Sequence, residues 1–162
     1  VSTLFVDTIN EKTSGNGVAI PGHLVQFVRL SSWSLLNATA TGSWTNGASL
    51  AITPKYNNSL IHVTFTFHAR LKGNQNTENR GGFRLIRDGQ NIGANTVGSR
   101  EGMHVNHGSS EFDAIYTLTT VDAPATTSSV TYQCQGRLLT GTNLYQFDST
   151  YGGAFTAMEI AQ

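Results

Sequence analysis

The stretch Leu60-Ile61-His62-Val63-Thr64-Phe65-Thr66-Phe67-His68-Ala69-Arg70 decides the fold. Ile61, Val63, Phe65, Phe67 and Ala69 alternate with His62, Thr64, Thr66, His68 and Arg70. A period of two over that length marks a β-strand with one face in a core and the other outside it. Comparable runs recur at 83–87, 112–121, 130–139 and 154–161, separated by Gly, Asn, Ser or Pro clusters, with no helical periodicity between them. The expected fold is therefore all-β: an antiparallel β-sandwich, jelly-roll-like, preceded by a short N-terminal arm.

Working outward from that strand, 24–30 reads as a strand with Val25 and Phe27 on one face and Leu24, Val28 and Leu30 on the other. A near-continuous apolar run of this kind suits a central strand or a subunit contact. Residues 31–47 mix Trp33, Leu35, Leu36 and Trp44 with small polar residues and are compatible with strand, loop and strand; 49–53 is a short strand stopped by Pro54. The polar segment 72–82 reads as a loop, Asp88-Gly89 as a hairpin turn into 90–92, and 93–110 as either a long surface excursion or a contact loop. Pro21-Gly22 closes an irregular first segment, so the expected division is an arm over 1–22 and a head domain over 23–162.

Composition narrows the function. Charged residues make up 12% of the 162 residues, against about 25% in an ordinary domain. Ten basic and ten acidic side chains cancel, which argues against nucleic acid and against an anionic membrane surface as partners. No apolar run approaches the roughly 20 residues of a membrane-spanning helix, and Val1 onward lacks the pattern of a signal peptide. The single cysteine, Cys134, falls on the apolar side of 130–139 and reads as a buried, inert thiol. A neutral, hydroxyl-rich sheet has edges that invite pairing, and closure into a symmetric oligomer hides them.

No catalytic signature stands out. Glu111 and Asp113 share a face at the start of a strand, but charges ending an edge strand account for them better than a glycosidase pair. His62, His68, His104 and His107 form the best metal set, yet His62 and His68 stand about 20 Å apart along an extended strand. One ion cannot bind both within a single chain, and structural or exposed histidines account for the set better; the alternative is a three-ligand site with one histidine per chain around a three-fold axis. Trp33, Trp44, Tyr145 and Tyr151, with Phe147, lie in Gly-, Asn- and Thr-rich segments and are candidates for surface recognition as well as for core filling. Asn37-Ala38-Thr39 and Asn57-Asn58-Ser59 match glycosylation sequons, which matter only in a secreted eukaryotic protein. The reading is a non-enzymatic protein with no cofactor.

Two segments carry a family resemblance. Val6-Asp7-Thr8-Ile9-Asn10-Glu11-Lys12-Thr13-Ser14-Gly15-Asn16-Gly17-Val18, followed by Ile20-Pro21-Gly22-His23-Leu24-Val25-Gln26, resembles the linker before terminal domains of tailed-phage structural proteins, notably from cyanophage-like phages of aquatic bacteria. Leu50-Ala51-Ile52-Thr53-Pro54-Lys55, Asn58-Ser59-Leu60-Ile61-His62-Val63 and Gly82-Phe83-Arg84-Leu85-Ile86-Arg87-Asp88-Gly89 are similar to a pattern of phage fibre and appendage heads, as is the ending Phe155-Thr156-Ala157-Met158-Glu159-Ile160. The resemblance implies a homotrimeric β-sandwich on a virion, a capsid decoration or cement protein or head fibre, assembled in the host bacterial cytoplasm. It implies that Leu4, Val6, Ile9, Val18 and Ile20 anchor the arm to the major capsid protein or another virion protein. As a complete chain the sequence looks like such a stand-alone appendage. As a fragment it looks like the receptor-binding tip of a tail fibre, with a host surface glycan as partner.

Overall fold

The computed structural model describes residues 20–74, 78–92, 103–105 (backbone only) and 111–162. Leu4, Val6, Ile9, Val18 and His107 lie outside the described residues, as do 1–19 of the arm. Eleven strands are described: β1 (Leu24–Leu30), β2 (Leu36–Ala38), β3 (Trp44–Ile52), β4 (Leu60–Lys72), β5 (Asn79–Arg87), β6 (Gln90–Asn91), β7 (Met103–Val105), β8 (Glu111–Asp122), β9 (Val130–Thr140), β10 (Asn143–Gln146) and β11 (Gly153–Ile160). They form an antiparallel, jelly-roll-like sandwich.

The diagnostic alternation is β4, and the first sheet is built around it. Along one edge β4 pairs with β8 from Ile61↔Asp122 to Lys72↔Glu111. Along the other it pairs first with β11, from Leu60↔Ile160 to Gly153↔Phe67, and then with β10. β1 extends the sheet beyond β11, and β2 extends it beyond β10. The second sheet runs β3-β9-β5-β6, with β7 also on β5. Successive long strands alternate between the sheets, β1, β4, β8 and β11 in one and β3, β5 and β9 in the other, so contacts are mostly distant in sequence.

The inward residues of β4, Ile61, Val63, Phe65, Phe67, Ala69 and Leu71, are buried and form the floor of the core. Phe65 stacks on Phe67 and on Phe155 with centroids 4.5 Å apart, and Phe83 meets Phe67 edge-on at 4.8 Å. Each such ring contributes about 1.5–3 kcal/mol by burial. Cys134 is fully buried among them, and burial pushes its thiol pKa up, so it stays protonated.

A polar network also ties the sheets. Asp122, at the end of β8, accepts hydrogen bonds from the Tyr132 hydroxyl (2.8 Å) and from Arg87 Nη1 (2.5 Å), both on the second sheet. Burial of Tyr132 raises its phenol pKa, which keeps it a neutral donor. Tyr132→Phe is expected to cost about 1.5–3 kcal/mol, the range for a hydrogen bond to a charged acceptor, seen as a lower urea midpoint at unchanged slope. A shift under about 0.5 kcal/mol would mean that the tie holds nothing.

Several readings need correction. β1 is an edge strand, not a central one: a bulge between Leu24 and Gln26 turns Leu24 to the same outer side as Phe27. The 72–82 loop is shorter than its composition suggests, because Asn79, Gly81 and Gly82 belong to β5. Glycines offer no side chains to show an alternation, and pairing with β9 (Gly82↔Arg137) recruits them. β2 and β10 are too short to show a period. The Asp88-Gly89 hairpin is as read, with φ of 47° and 84° at its two central residues.

Candidate functional site

The outer face of the first sheet follows from the same alternation. Because β1, β11, β4 and β8 are in register, outward side chains form rows across the four strands. One row is Leu24, Ile160 and Leu60, and the next is Phe27, Met158, His62 and Val121. Then come Arg29, Thr156, Thr64 and Thr119, followed by Ala154, Thr66 and Thr117, and by His68 and Ile115. Over these five rows Arg29 is the single Lys, Arg, Asp or Glu. The threonines satisfy one another: Thr64 lies 3.2 Å from Thr119 and Thr66 lies 3.0 Å from Thr117, hydroxyl to hydroxyl, with His62 Nε2 3.1 Å from the Thr119 hydroxyl. A threonine that finds its partner within the sheet loses little when water is removed.

Among the described residues, nothing covers several large apolar side chains on this face. Ile115 is 77% exposed, Leu24 57%, Val121 56%, Phe27 54% and Tyr151 59%. Among the described residues, β8 has no strand on its outer side and β1 none beyond it, so both edges carry unpaired backbone groups.

Aromatic residues cluster at one end of the face. Phe147 stacks on His68 at 5.0 Å and lies 4.4 Å from Tyr151 and 6.0 Å from Tyr145, while Arg70 sits over its ring at 5.5 Å. Asp148 caps the turn Ser149–Tyr151 by accepting from the Thr150 N–H, and that turn sets Tyr151 beside the sheet. Gly153 then lets β11 begin in contact with β4: it has φ of 120°, and a Cβ there would run into the Thr66 carbonyl. The result is a mainly apolar groove of about 250 Å³ between His68, Ile115 and Tyr151.

Charge gathers beyond the groove. Arg70 holds Asp113 through two hydrogen bonds of 2.6 and 2.8 Å and reaches Glu111 at 3.3 Å, with Lys72 also at 3.3 Å from Glu111. The guanidinium keeps the Asp113 carboxyl below its usual range. Glu111 and Asp113 are thus engaged by cations on an open face.

The recognition candidates separate. Tyr145 and Tyr151 meet in the aromatic cluster, joined by His68 and Phe147. Trp33 is half-buried, edge-on to Phe65 at 5.3 Å, with its indole N–H donating to the Phe147 carbonyl at 2.9 Å. Trp44 lies on the other sheet between Arg84 and Arg137. His62 and His68 point outward from β4 with other partners, and among the described residues no three His, Cys, Asp or Glu side chains gather as a metal site. For His104 only the backbone, in β7, is described. Ile20 is 37% exposed, beside the turn where Gly22 N donates to the Ala161 carbonyl at 2.8 Å.

No protein-family model matches this chain, and no curated protein matches it. The site is therefore read on its own chemistry.

Proposed function

We propose that this protein is a non-enzymatic structural component of a tailed-phage particle, a homotrimer that decorates or cements the capsid. In this reading the outer face of β1-β11-β4-β8 is where copies meet. The observation that carries it is that face: five rows of side chains with one charge, exposed apolar groups and, among the described residues, edges with no strand beyond them on both sides. Four strands about 4.8 Å apart, over about eight residues at 3.3 Å, offer about 500 Å² in flat projection. Side-chain relief and the β8 edge bring this toward the about 800 Å² per partner of a standard interface. A three-fold ring needs two unlike patches on each chain. The flat threonine face and, among the described residues, the unpaired backbone edge of β8 supply such a pair.

Support for the virion setting comes from the sequence resemblance, in which the arm that leads into Ile20 is the anchor. Cryo-electron microscopy of the intact particle tests it. Three-lobed density at capsid lattice positions is the expected result. Density at the tail would transfer the protein to the rival role of a fibre tip, and absence of the protein from the particle would overturn both.

A further inference from the structure

The outer face of the first sheet carries two of the chain's five histidines, His62 and His68, both on β4. His62 stands in the row Phe27, Met158, His62 and Val121, with an apolar side chain on either side of it. Leu60 and Thr64 flank it along β4, and Ile160, Thr156 and Thr119 lie on the diagonals. Among the described residues no carboxylate faces it from these strands. Glu159 and Asp122 follow Met158 and Val121 in the chain, but Glu159 is fully buried and Asp122 is held by Tyr132 and Arg87 on the inner side. The outward carboxylates of β8 begin at Asp113, eight residues from Val121, or about 26 Å along the strand. The charged group in the adjoining row is a cation, Arg29, and His23 lies exposed just before β1.

Protonation changes what this ring needs. Nε2 lies 3.1 Å from the Thr119 hydroxyl, and among the described residues Nδ1 has no hydrogen-bond partner. A neutral imidazole has one N–H, which Thr119 satisfies; an imidazolium has two N–H donors and a charge. On an open face water takes the second donor. Against a second copy that water is gone, and a bare N–H and an unpaired charge are left among Phe27, Met158 and Val121. His68 stands in a different setting: Phe147 and Tyr151 pack on it, and the next row holds Arg70 with Asp113, so a carboxylate is already close to that ring.

We infer that His62 makes the contact between copies sensitive to pH, so that the assembly holds above the histidine range and loosens below it. The inference rests on the reading that copies meet through this face. Its sign follows from linkage: the assembled state holds the ring neutral, the separated chain is free to take up a proton, and dissociation therefore consumes protons and is favoured as pH falls. Arg29 adds to the effect, because it is a second cation on a face with no outward carboxylate beside His62.

Sedimentation equilibrium of the full chain over a dilution series at pH 7.5 and at pH 5.5 tests it, with the rate of subunit exchange as the readout where dilution alone does not separate the copies. One proton taken up per chain is expected to weaken association about tenfold per chain between the two pH values, about a thousandfold in the constant for three chains, with the circular dichroism of the fold unchanged. His62→Gln is expected to remove most of that ratio and His68→Gln to keep most of it. Because each variant is compared with itself at the two pH values, a loss of affinity common to both does not enter the result. A trimer whose constant moves less than about threefold between the two pH values, a His62→Gln protein that keeps the full ratio, or dissociation that comes only with loss of the fold would overturn the inference and leave assembly standing. A chain that is monomeric already at pH 7.5 would overturn the assembly reading, and this inference with it.

Discussion

Glu159→Ala is expected to destabilise the domain by about 3–5 kcal/mol, a large part of the about 5–15 kcal/mol that holds a typical domain together. Glu159 is fully buried at an inward position of β11. Its Oε1 accepts from the Lys55 N–H at 2.8 Å, the Tyr56 N–H at 3.1 Å and the Ser59 hydroxyl at 2.7 Å, and its Oε2 accepts from Gln26 Nε2 at 2.5 Å. One carboxylate thus fastens the β3–β4 connection to β11 and to the edge strand β1. Removing it takes the acceptor from four donors at once, each costing about 1–3 kcal/mol where water cannot reach it. Glu159→Gln keeps one carbonyl oxygen, so about half the loss is expected. Guanidinium denaturation measures both variants, and an alanine variant within 1 kcal/mol of the parent would show that water replaces the carboxylate.

The second large effect falls on assembly. Thr64→Arg combined with Thr117→Arg places two cations in the middle of the threonine rows, where the five rows otherwise carry Arg29 alone. Burying unpaired charge against a second copy costs several kcal/mol per ion. The association constant is therefore expected to fall by about a thousandfold or more. Both sites face outward, so the variant chain is expected to keep its fold and to melt within about 0.5 kcal/mol of a parent held monomeric by dilution. A double variant that stays fully associated would place the contact elsewhere.

How far the sequence reveals this molecule depends on the range of the signal. β4, β8, β9 and β11 are legible because each alternates over eight residues or more. Two-residue periodicity also says which side of β4 is wet, and so exposes the threonine and histidine row before any coordinates. β10 has four residues, and its Gln146 is buried because it accepts from the Ala48 N–H at 3.1 Å, a partner far away in the chain. Glu159 looks like a surface residue by type, and only the alternation of Phe155, Ala157 and Glu159 hints that it points inward. Tyr145 and Tyr151 are recognisable as aromatics near turns, but their meeting with His68 requires the β4–β10 pairing. The Arg84, Trp44 and Arg137 cluster joins three strands, and nothing local in the sequence announces it.

Sedimentation equilibrium of the unmodified chain, from submicromolar to tens of micromolar, tests the central claim most directly. Three chains of 17.4 kDa closed around an axis are expected to give one species of about 52 kDa across that range. A single species at the mass of one chain up to the highest concentration would contradict it.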